Sequence, residues 1–270
     1  MSWDSFIWYA CGSALLWICG AAVSVKSGRK LPAALLSGAG TVLFLTFIIG
    51  FWADLGRPPL RTMGETRLWF SLFLSAVGLG VYLLRGHRWA LPFSSLMATV
   101  FVCINIFKPE IHSRTLMPAL QSPWFIPHVT VYMFAYAVMG LATILAVKLL
   151  WFSRPGNAMK PEYGLCDSLV RTGWGFLTMG IVMGALWAKQ AWGDYWTWDP
   201  KETWAAATWL SYLLYLHLRR LPENEAKEKE RSRSTRDALL LLIFSFILLQ
   251  MCWWGVNYLP SARGFSLHTY

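Results

Sequence analysis

Residues 128–152 read HVTVYMFAYAVMGLATILAVKLLWF, a run whose only Lys, Arg, Asp or Glu is Lys148. A helix of about twenty apolar residues is long enough to cross the roughly 30 Å of hydrocarbon in a bilayer. Because no water is present there, the backbone of such a segment must form its hydrogen bonds within the segment, as an α-helix does. The run therefore predicts a transmembrane helix.

Seven similar runs occupy most of the remaining chain, each bounded by charges or by Gly and Pro. They lie approximately at Ser5–Val25, Leu31–Trp52, Leu68–Leu84, Trp89–Phe107, Val170–Trp187, Thr203–Leu218 and Ala238–Tyr258. With 56% hydrophobic and 14% charged residues, the chain has more apolar surface than one soluble core can bury. We predict an all-α fold, a polytopic membrane helical bundle of about eight transmembrane helices that forms a single integral membrane domain over residues 1–270.

The basic residues, which give the chain a formal net charge of +10, are unevenly divided between the connections. The odd-numbered connections hold 14 Lys and Arg, whereas the even-numbered ones and the C-terminal tail hold 8. Cytoplasmic loops of membrane proteins are enriched in Lys and Arg, so both termini are predicted to lie on the outer (periplasmic) side. Residues 219–237, rich in both charges, are predicted to form a cytoplasmic linker. Topology explains the net charge better than nucleic-acid binding does.

The five cysteines are scattered through apolar surroundings and form no C-x-x-C pair. They are typical of small core residues and disfavour a thiol oxidoreductase. The first apolar run has no basic region before it and no small-residue cleavage site after it, so we expect it to remain as a helix.

The connection between the sixth and seventh runs is unusually rich in tryptophan. Within residues 188–204 the indoles are those of Trp192, Trp196, Trp198 and Trp204. Tryptophan is often found at the membrane interface, but a belt of that kind is spread around the perimeter of a protein. Indoles concentrated in one short connection instead offer rigid aromatic faces and N–H donors to a flat apolar ligand such as a porphyrin.

The second half of this connection also carries the signals of a helix start. Asp199 is a favourable N-cap residue, Pro200 suits the first helical position, and Glu202 completes the spacing of a capping box. We therefore assign Asp199 and Glu202 to starting the helix rather than to acid–base catalysis. Lys201 suits either a haem propionate or a lipid headgroup, and the sequence leaves both open.

The pattern Trp-Gly-x-Tyr-Trp-x-Trp-Asp-Pro-Lys-Glu-x-Trp of residues 192–204 resembles the WWD signature of the haem-handling proteins of cytochrome c maturation. Its ending after the Trp-Asp pair is most similar to the CcsA (ResC) family of system II. The resemblance is strong over residues 122–270 and only general over the first four runs. It implies that Trp192, Trp196, Trp198, Asp199 and Trp204 belong to a haem-binding segment.

Three of the five histidines acquire a role through this resemblance. A lone imidazole at a helix end is usually a cap, and one inside a span is a functional candidate, although near the helix end it also suits the headgroups. The family carries an outer pair of haem-ligating histidines, matched here by His128 and His268. It also carries a histidine in a transmembrane helix, matched by His217, whose counterpart comes from a partner protein. His87 and His112 are assigned no role.

The resemblance implies a cytochrome c haem lyase, or synthetase, that works with a CcsB/ResB-like membrane partner. Haem b would be translocated, presented and attached to the C-x-x-C-H motif of an apocytochrome c, whose thiols a thioredoxin-like reductant keeps reduced. We identify no catalytic residue beyond those that present haem. The location implied is the bacterial inner membrane, or the thylakoid membrane of a plastid, with the site on the periplasmic or lumenal face.

Two other functions remain open from the sequence. A CcmC-type haem exporter or chaperone would bind haem on the same segment without attaching it to protein. A b-type electron-transfer subunit would hold haem permanently between histidines on facing helices, whereas here only His217 lies within a span. The connection with Arg57, Arg61 and Glu65 is assigned no function.

Overall fold

Eight long α-helices contain most of the residues that the computed structural model describes, which are 1–112, 120, 122–152, 160–220 and 228–259. No β-strand occurs among these residues, which confirms the predicted all-α class. The helices are α1 (Trp3–Lys26), α2 (Lys30–Leu55), α3 (Met63–Arg85), α4 (Ala90–Phe107), α5 (Phe125–Phe152), α6 (Lys160–Trp192), α7 (Pro200–Leu218) and α8 (Glu228–Trp253).

Seven of the helices in the described part of the chain are long and apolar enough to cross a membrane. The exception is α7, which was predicted as the seventh span. Its composition explains the difference, since Lys201, Glu202 and His217 stand near its ends and several Thr, Ser and Tyr residues lie between them. Large side chains on the other helices face outward, as lipid contact requires, with Trp8 77% and Leu84 84% exposed. The polytopic membrane architecture is confirmed, whereas the side of each terminus stays a prediction.

The helices cluster into two compact units, Met1–Leu120 and Gln121–Tyr270. In unit 1, α1 packs against α2 and α4, and α3 closes the ring by packing against the same two helices. Unit 2 repeats this pattern, because α5 packs against α6 and α8 while α7 packs against α6 and α8. Each unit is therefore a four-helix bundle in which sequential helices are neighbours. That residues 1–270 act as one domain stays a prediction.

Polar side chains link the helices of unit 1. The Trp17 indole Nε1 donates to Thr41 Oγ1 at 3.1 Å, and the Thr41 hydroxyl lies 3.2 Å from Ser75 Oγ. These contacts join α1, α2 and α3. Side-chain hydrogen bonds of this kind, together with small residues that allow close approach, are the usual means of holding membrane helices together, because lipid is as apolar as the helices themselves.

A buried carboxylate organises the connection between α2 and α3. Glu65, whose side chain is 3% exposed, accepts from Arg57 Nη1 at 2.9 Å and Nη2 at 2.8 Å. It also accepts the backbone N–H of Arg61 at 2.7 Å and completes a capping box with Thr62. Arg57 and Glu65 therefore hold the start of α3. Neither residue was assigned a function from the sequence. Burial and the nearby Arg57 charge lower the pKa of Arg61.

His112 packs within unit 1 instead of lying in an open loop. Its ring is stacked on Trp3, with the ring centroids 3.6 Å apart and an interplanar angle of 3°. Burial lowers the pKa of this imidazole, which makes the neutral ring the stable form near neutral pH. The assignment of no haem-binding role to His112 stays a prediction.

Two helices begin earlier than the apolar runs suggest. Helix α6 is described from Lys160, whereas the apolar run predicted a start at Val170. Its first turns are polar, and Glu162 attaches them to the bundle by pairing with Lys148 of α5 at 2.6 Å. Helix α8 is described from Glu228, so residues 228–237 of the predicted linker are helical. Glu, Lys and Arg favour helix even where no apolar face exists.

Removal of the buried carboxylate tests its structural role. We expect Glu65→Ala to lower the free energy of unfolding by roughly 3 kcal/mol, because it leaves the half-buried Arg57 guanidinium and two backbone N–H groups without their acceptor. Asp54→Ala is the control, since Asp54 pairs with the N-terminal amine but is 57% exposed and should matter little. Denaturant unfolding in detergent measures both, and equal effects would contradict this role.

Candidate functional site

The tryptophan-rich connection leaves α6 through a tight turn. Trp192 is the last residue of α6, and Gly193 follows with a φ of 95° that favours glycine. The Lys189 ammonium donates to the Gly193 carbonyl at 2.6 Å and so closes the turn. Residues 193–199 are non-helical, and α7 starts at Pro200. The segment is therefore a short irregular connection between two helices of unit 2.

Two buried carboxylates fix the end of this connection. Asp199 Oδ1 accepts the N–H of Lys201 at 2.8 Å and that of Glu202 at 3.3 Å. Glu202 Oε2 reaches back to the N–H of Asp199 at 3.2 Å and that of Thr197 at 2.7 Å. The predicted capping box is confirmed. Because both carboxylates are 8% exposed or less and are occupied by backbone donors, they serve as anchors of the chain.

Trp198 lies inside this network in a strained conformation. Its φ is 59°, and no other non-glycine residue in the described part of the chain has a positive φ. Glu202 holds the amides of the residues on both sides of Trp198, while Thr203 Oγ1 donates to the Trp198 carbonyl at 3.2 Å. A left-handed non-glycine residue costs about 1–3 kcal/mol and persists only where its surroundings impose it. The result is an indole that is 68% exposed.

The other tryptophans of the segment continue the aromatic surface. Trp196 meets Trp198 edge to face, with centroids 5.6 Å apart, and its buried Nε1 has no hydrogen-bond partner among the described residues. Trp192 meets Trp187 in the same manner at 4.8 Å. Trp204 is half-buried in the second turn of α7. The segment thus combines one exposed indole, that of Trp198, with three half-buried ones.

His128 reaches this aromatic surface from α5. Its ring centroid lies 5.4 Å from that of Trp187, which in turn contacts Trp192. His128 Nδ1 lies 2.8 Å from the Gly180 carbonyl oxygen of α6. Because a carbonyl only accepts hydrogen bonds, Nδ1 carries the proton and the ring lone pair is on Nε2. This arrangement is typical of a metal-ligating histidine, whose second nitrogen is oriented by a backbone carbonyl.

Two glycines of α6 make room for the α5 side chains. A Cβ at residue 184 would lie 2.6 Å from His128 Cε1, and a Cβ at residue 180 would lie 2.8 Å from the ring of Tyr132. Gly180 and Gly184 were not predicted from the sequence, although their Gly-x-x-x-Gly spacing is a known signal of close helix packing in membranes. Trp187, predicted only as the end of the sixth apolar run, links His128 to Trp192.

His268, the predicted partner of His128, lies outside the described residues, so the outer histidine pair stays a prediction. The structure brings together His128 and Trp192 through Trp187. It does not bring His217 to them.

His217 lies at the opposite end of α7, about 27 Å from the capping residue at a rise of 1.5 Å per residue. Its Nδ1 is 2.9 Å from the Leu213 carbonyl, so its lone pair is also on Nε2. The imidazole is exposed on the surface of unit 2. Two histidines at opposite ends of one bundle therefore have the same tautomer and each can coordinate iron.

A polar clamp holds the end of α7 beside His217. Asp167 of α6 accepts from the Tyr215 hydroxyl at 2.7 Å and from Arg219 Nε and Nη2, each at 2.9 Å. Arg219 also donates to Thr235 Oγ1 of α8 at 3.3 Å. The ends of α6, α7 and α8 are thereby tied together. This clamp could not be predicted from local sequence, because its two charged members are 52 residues apart.

The interior of unit 2 is tightly filled. A small cavity among α5, α6, α7 and α8 has room for about one water molecule, and its lining includes Tyr132, Tyr136, Thr208, Trp209 and Cys252. Pockets that bind organic ligands usually enclose 300–1,000 Å³. A porphyrin is too large for this cavity.

Comparisons with known proteins identify the family of this chain. Residues 7–262 match the family described as cytochrome C assembly protein. The chain is 30% identical over 272 residues to the cytochrome c biogenesis protein CcsA of Chlamydomonas reinhardtii, a match that covers 95% of this chain and 72% of that protein. It is 28% identical over 281 residues to CcsA of Oenothera argillicola, covering 86% and 84%.

One solved structure, named cytochrome c haem lyase CcmF, has a similar fold. It aligns with a TM-score of 0.63 and 19% identity over 97% of this chain and 48% of that one. At this identity the likeness concerns the fold alone.

The close approach at residue 184 gives a direct test of the packing around His128. We expect Gly184→Ala to lower the free energy of unfolding by about 1–3 kcal/mol, because the added methyl group overlaps the imidazole. Gly175→Ala on the same helix is the control, since no atom lies within 4 Å of its added Cβ and alanine is the better helix former. Thermal unfolding in detergent measures both, and a neutral Gly184→Ala would show that the two helices are not packed in this way.

Proposed function

Because this chain belongs to the cytochrome C assembly protein family and is CcsA-like over nearly all its length, we propose that it attaches haem b covalently to apocytochrome c together with a CcsB/ResB-like partner. Haem handling in cytochrome c maturation is the family's role. The attachment step adds each apocytochrome thiol across a haem vinyl group. A carbon–sulfur bond forms, the thiol proton moves to the neighbouring vinyl carbon, and no electrons are gained or lost.

The observation that carries the proposal is the contact chain from His128 through Trp187 to Trp192. It supports a haem whose iron is held by His128 while its ring lies on the indoles of the segment. Haem iron accepts an imidazole on each face, and His268 is proposed as the second ligand. The exposed indole of Trp198 would fix the orientation of the porphyrin.

His217 is proposed to receive haem before the outer site does. Its exposed imidazole, with the lone pair on Nε2, is directed away from the bundle, where a histidine of the CcsB-like partner can complete the coordination. The route would then lead from His217 to the tryptophan segment on the periplasmic or lumenal face of the inner or thylakoid membrane.

Catalysis is proposed to rest on proximity and orientation. Asp199 and Glu202 are occupied by backbone N–H groups, so neither is placed to act as an acid or base. Holding the vinyl groups and thiols in contact makes a reaction between two molecules effectively unimolecular. A thioredoxin-like reductant would keep the apocytochrome thiols available.

The two rival functions make different demands on unit 2. A b-type carrier needs haem between facing helices, and the small cavity among α5, α6, α7 and α8 does not supply that space. A CcmC-type chaperone needs only the outer surface. His217 and its clamp favour the synthetase because a second haem position would otherwise have no purpose.

Replacement of single histidines tests the ligand assignments. We expect His128→Ala and His268→Ala to change the haem absorption spectrum and to reduce cytochrome c maturation at least tenfold, because each removes one axial ligand. His217→Ala should reduce the amount of haem bound per chain, because haem is proposed to reach His217 before the outer site. His87→Ala is the control and should leave both unchanged. Unaltered spectra and maturation in His128→Ala and His268→Ala would contradict the proposed function.

The strained indole provides a second test. Trp198→Gly should fold at least as stably as the original chain, because glycine accepts a φ of 59° without strain, yet it should bind haem roughly tenfold more weakly through loss of an aromatic face. Trp198→Phe should retain part of the affinity. Haem titration and thermal unfolding of both variants separate binding from folding, and haem affinity that is unchanged in Trp198→Gly would exclude this ring from the platform.

A further inference from the structure

Arg171 is an arginine of unit 2 that has no role in the sites described above. It lies in α6, within the segment Pro161–Trp192 that is long and apolar enough to span a membrane. Its side chain is exposed and forms no ion pair with any described residue. Lys148 and Arg219, the other cations at this end of unit 2 with described partners, are paired with Glu162 and Asp167. A cation in a spanning helix is costly, and it usually marks a functional site.

The contacts between α6 and α7 place Arg171 near His217. Asp167 contacts Tyr215 and Arg219, whereas Trp174 contacts Trp209, so the two helices run antiparallel. Arg171 is one turn from Asp167 on the way to Trp174. It therefore lies beside the last turns of α7, close to the level of Leu213 and one turn from that of His217.

The directions of the two side chains bring their polar ends together. Side chains on an α-helix lean toward the helix N-terminus. Arg171 therefore leans toward the level of Asp167, while His217 leans back toward the Leu213 carbonyl that it contacts at 2.9 Å. Both residues are exposed on the same end of unit 2. The guanidinium and the imidazole therefore lie at overlapping levels along α6 and α7.

The clamp described above keeps this geometry fixed. Because Asp167 holds Tyr215 and Arg219, which flank His217 by two residues on each side, the last turn of α7 cannot rotate. The imidazole is therefore held on the side of α7 that the clamped residues do not occupy. Asp167 is in this sense a positioning residue for His217.

We propose that Arg171 binds a propionate carboxylate of the haem whose iron His217 ligates, an inference that rests on the proposed function. A guanidinium matches a carboxylate with two parallel hydrogen bonds, and such charge-assisted pairs are strong where water is scarce. The pair removes the cost of an uncompensated arginine in the span. It also sets the rotation of the porphyrin about the His217–iron bond, which iron coordination alone leaves undetermined.

The test compares haem with its dimethyl ester, in which both propionates are uncharged. The full-length chain is studied in lipid nanodiscs in a His128→Ala/His268→Ala background, so that binding reports on His217. Arg171→Gln should weaken the binding of haem roughly tenfold to a hundredfold and should weaken the binding of the dimethyl ester far less. The preference of the chain for haem over the ester should therefore fall. Arg171→Lys should keep part of that preference because it keeps the charge.

Arg85→Gln is the matched control. Arg85 is also an exposed arginine near one end of a spanning helix, but it lies in unit 1, and the nearby His87 is assigned no haem. Arg85→Gln should leave the affinities for haem and for the dimethyl ester unchanged. If Arg171 only reaches lipid phosphates, Arg171→Gln will keep the preference for haem over the ester, and the proposal is overturned. If His217→Ala binds haem as before, the failure lies instead with the proposed role of His217.

Discussion

Lipid hydrocarbon offers the polypeptide backbone no hydrogen-bond partner, and every element of this protein follows from that constraint. The described chain meets it with helices, and irregular backbone occurs only in the connections between them. Even there the polar groups are satisfied by buried carboxylates. Glu65 holds the backbone of the α2–α3 connection, and Glu202 does the same before α7. The tryptophan segment is thus a short irregular stretch with a rigid end, and this rigidity lets Trp198 keep a strained backbone and an exposed ring.

A second principle recurs at both ends of unit 2, where a backbone carbonyl sets the tautomer of an imidazole. The Gly180 carbonyl does this for His128 and the Leu213 carbonyl for His217. Each ring is further positioned by its neighbours, His128 by the gap at Gly184 and His217 by the clamp around Asp167. Under the proposed function, the same bundle would offer haem iron two separate positions, one at His128 beside an aromatic surface and one at His217. Transfer of haem between two such positions is what a haem-handling protein requires.

Local features of the sequence predicted much of this. The apolar runs gave the helices, and Asp199, Pro200 and Glu202 gave the start of α7 because a capping box is made by residues three apart. Long-range contacts were not predictable in the same way. The Asp167–Arg219 pair and the contact of Gly184 with His128 depend on which helices are neighbours, and the early start of α6 depends on Lys148 of another helix. The left-handed conformation of Trp198 follows from the two hydrogen bonds that Glu202 accepts from the backbone on either side of it. Residue propensities do not predict these hydrogen bonds.

The absorption spectrum of haem bound to the purified full-length chain, recorded alone and then with its CcsB-like partner, tests the central claim most directly. If haem lies over the tryptophan segment between two imidazoles, the spectrum of the reduced chain will be that of six-coordinate, low-spin iron, and addition of the partner will increase the haem bound per chain by completing the coordination at His217. A chain that binds no haem, or binds it only as five-coordinate, high-spin iron with and without the partner, would contradict the claim.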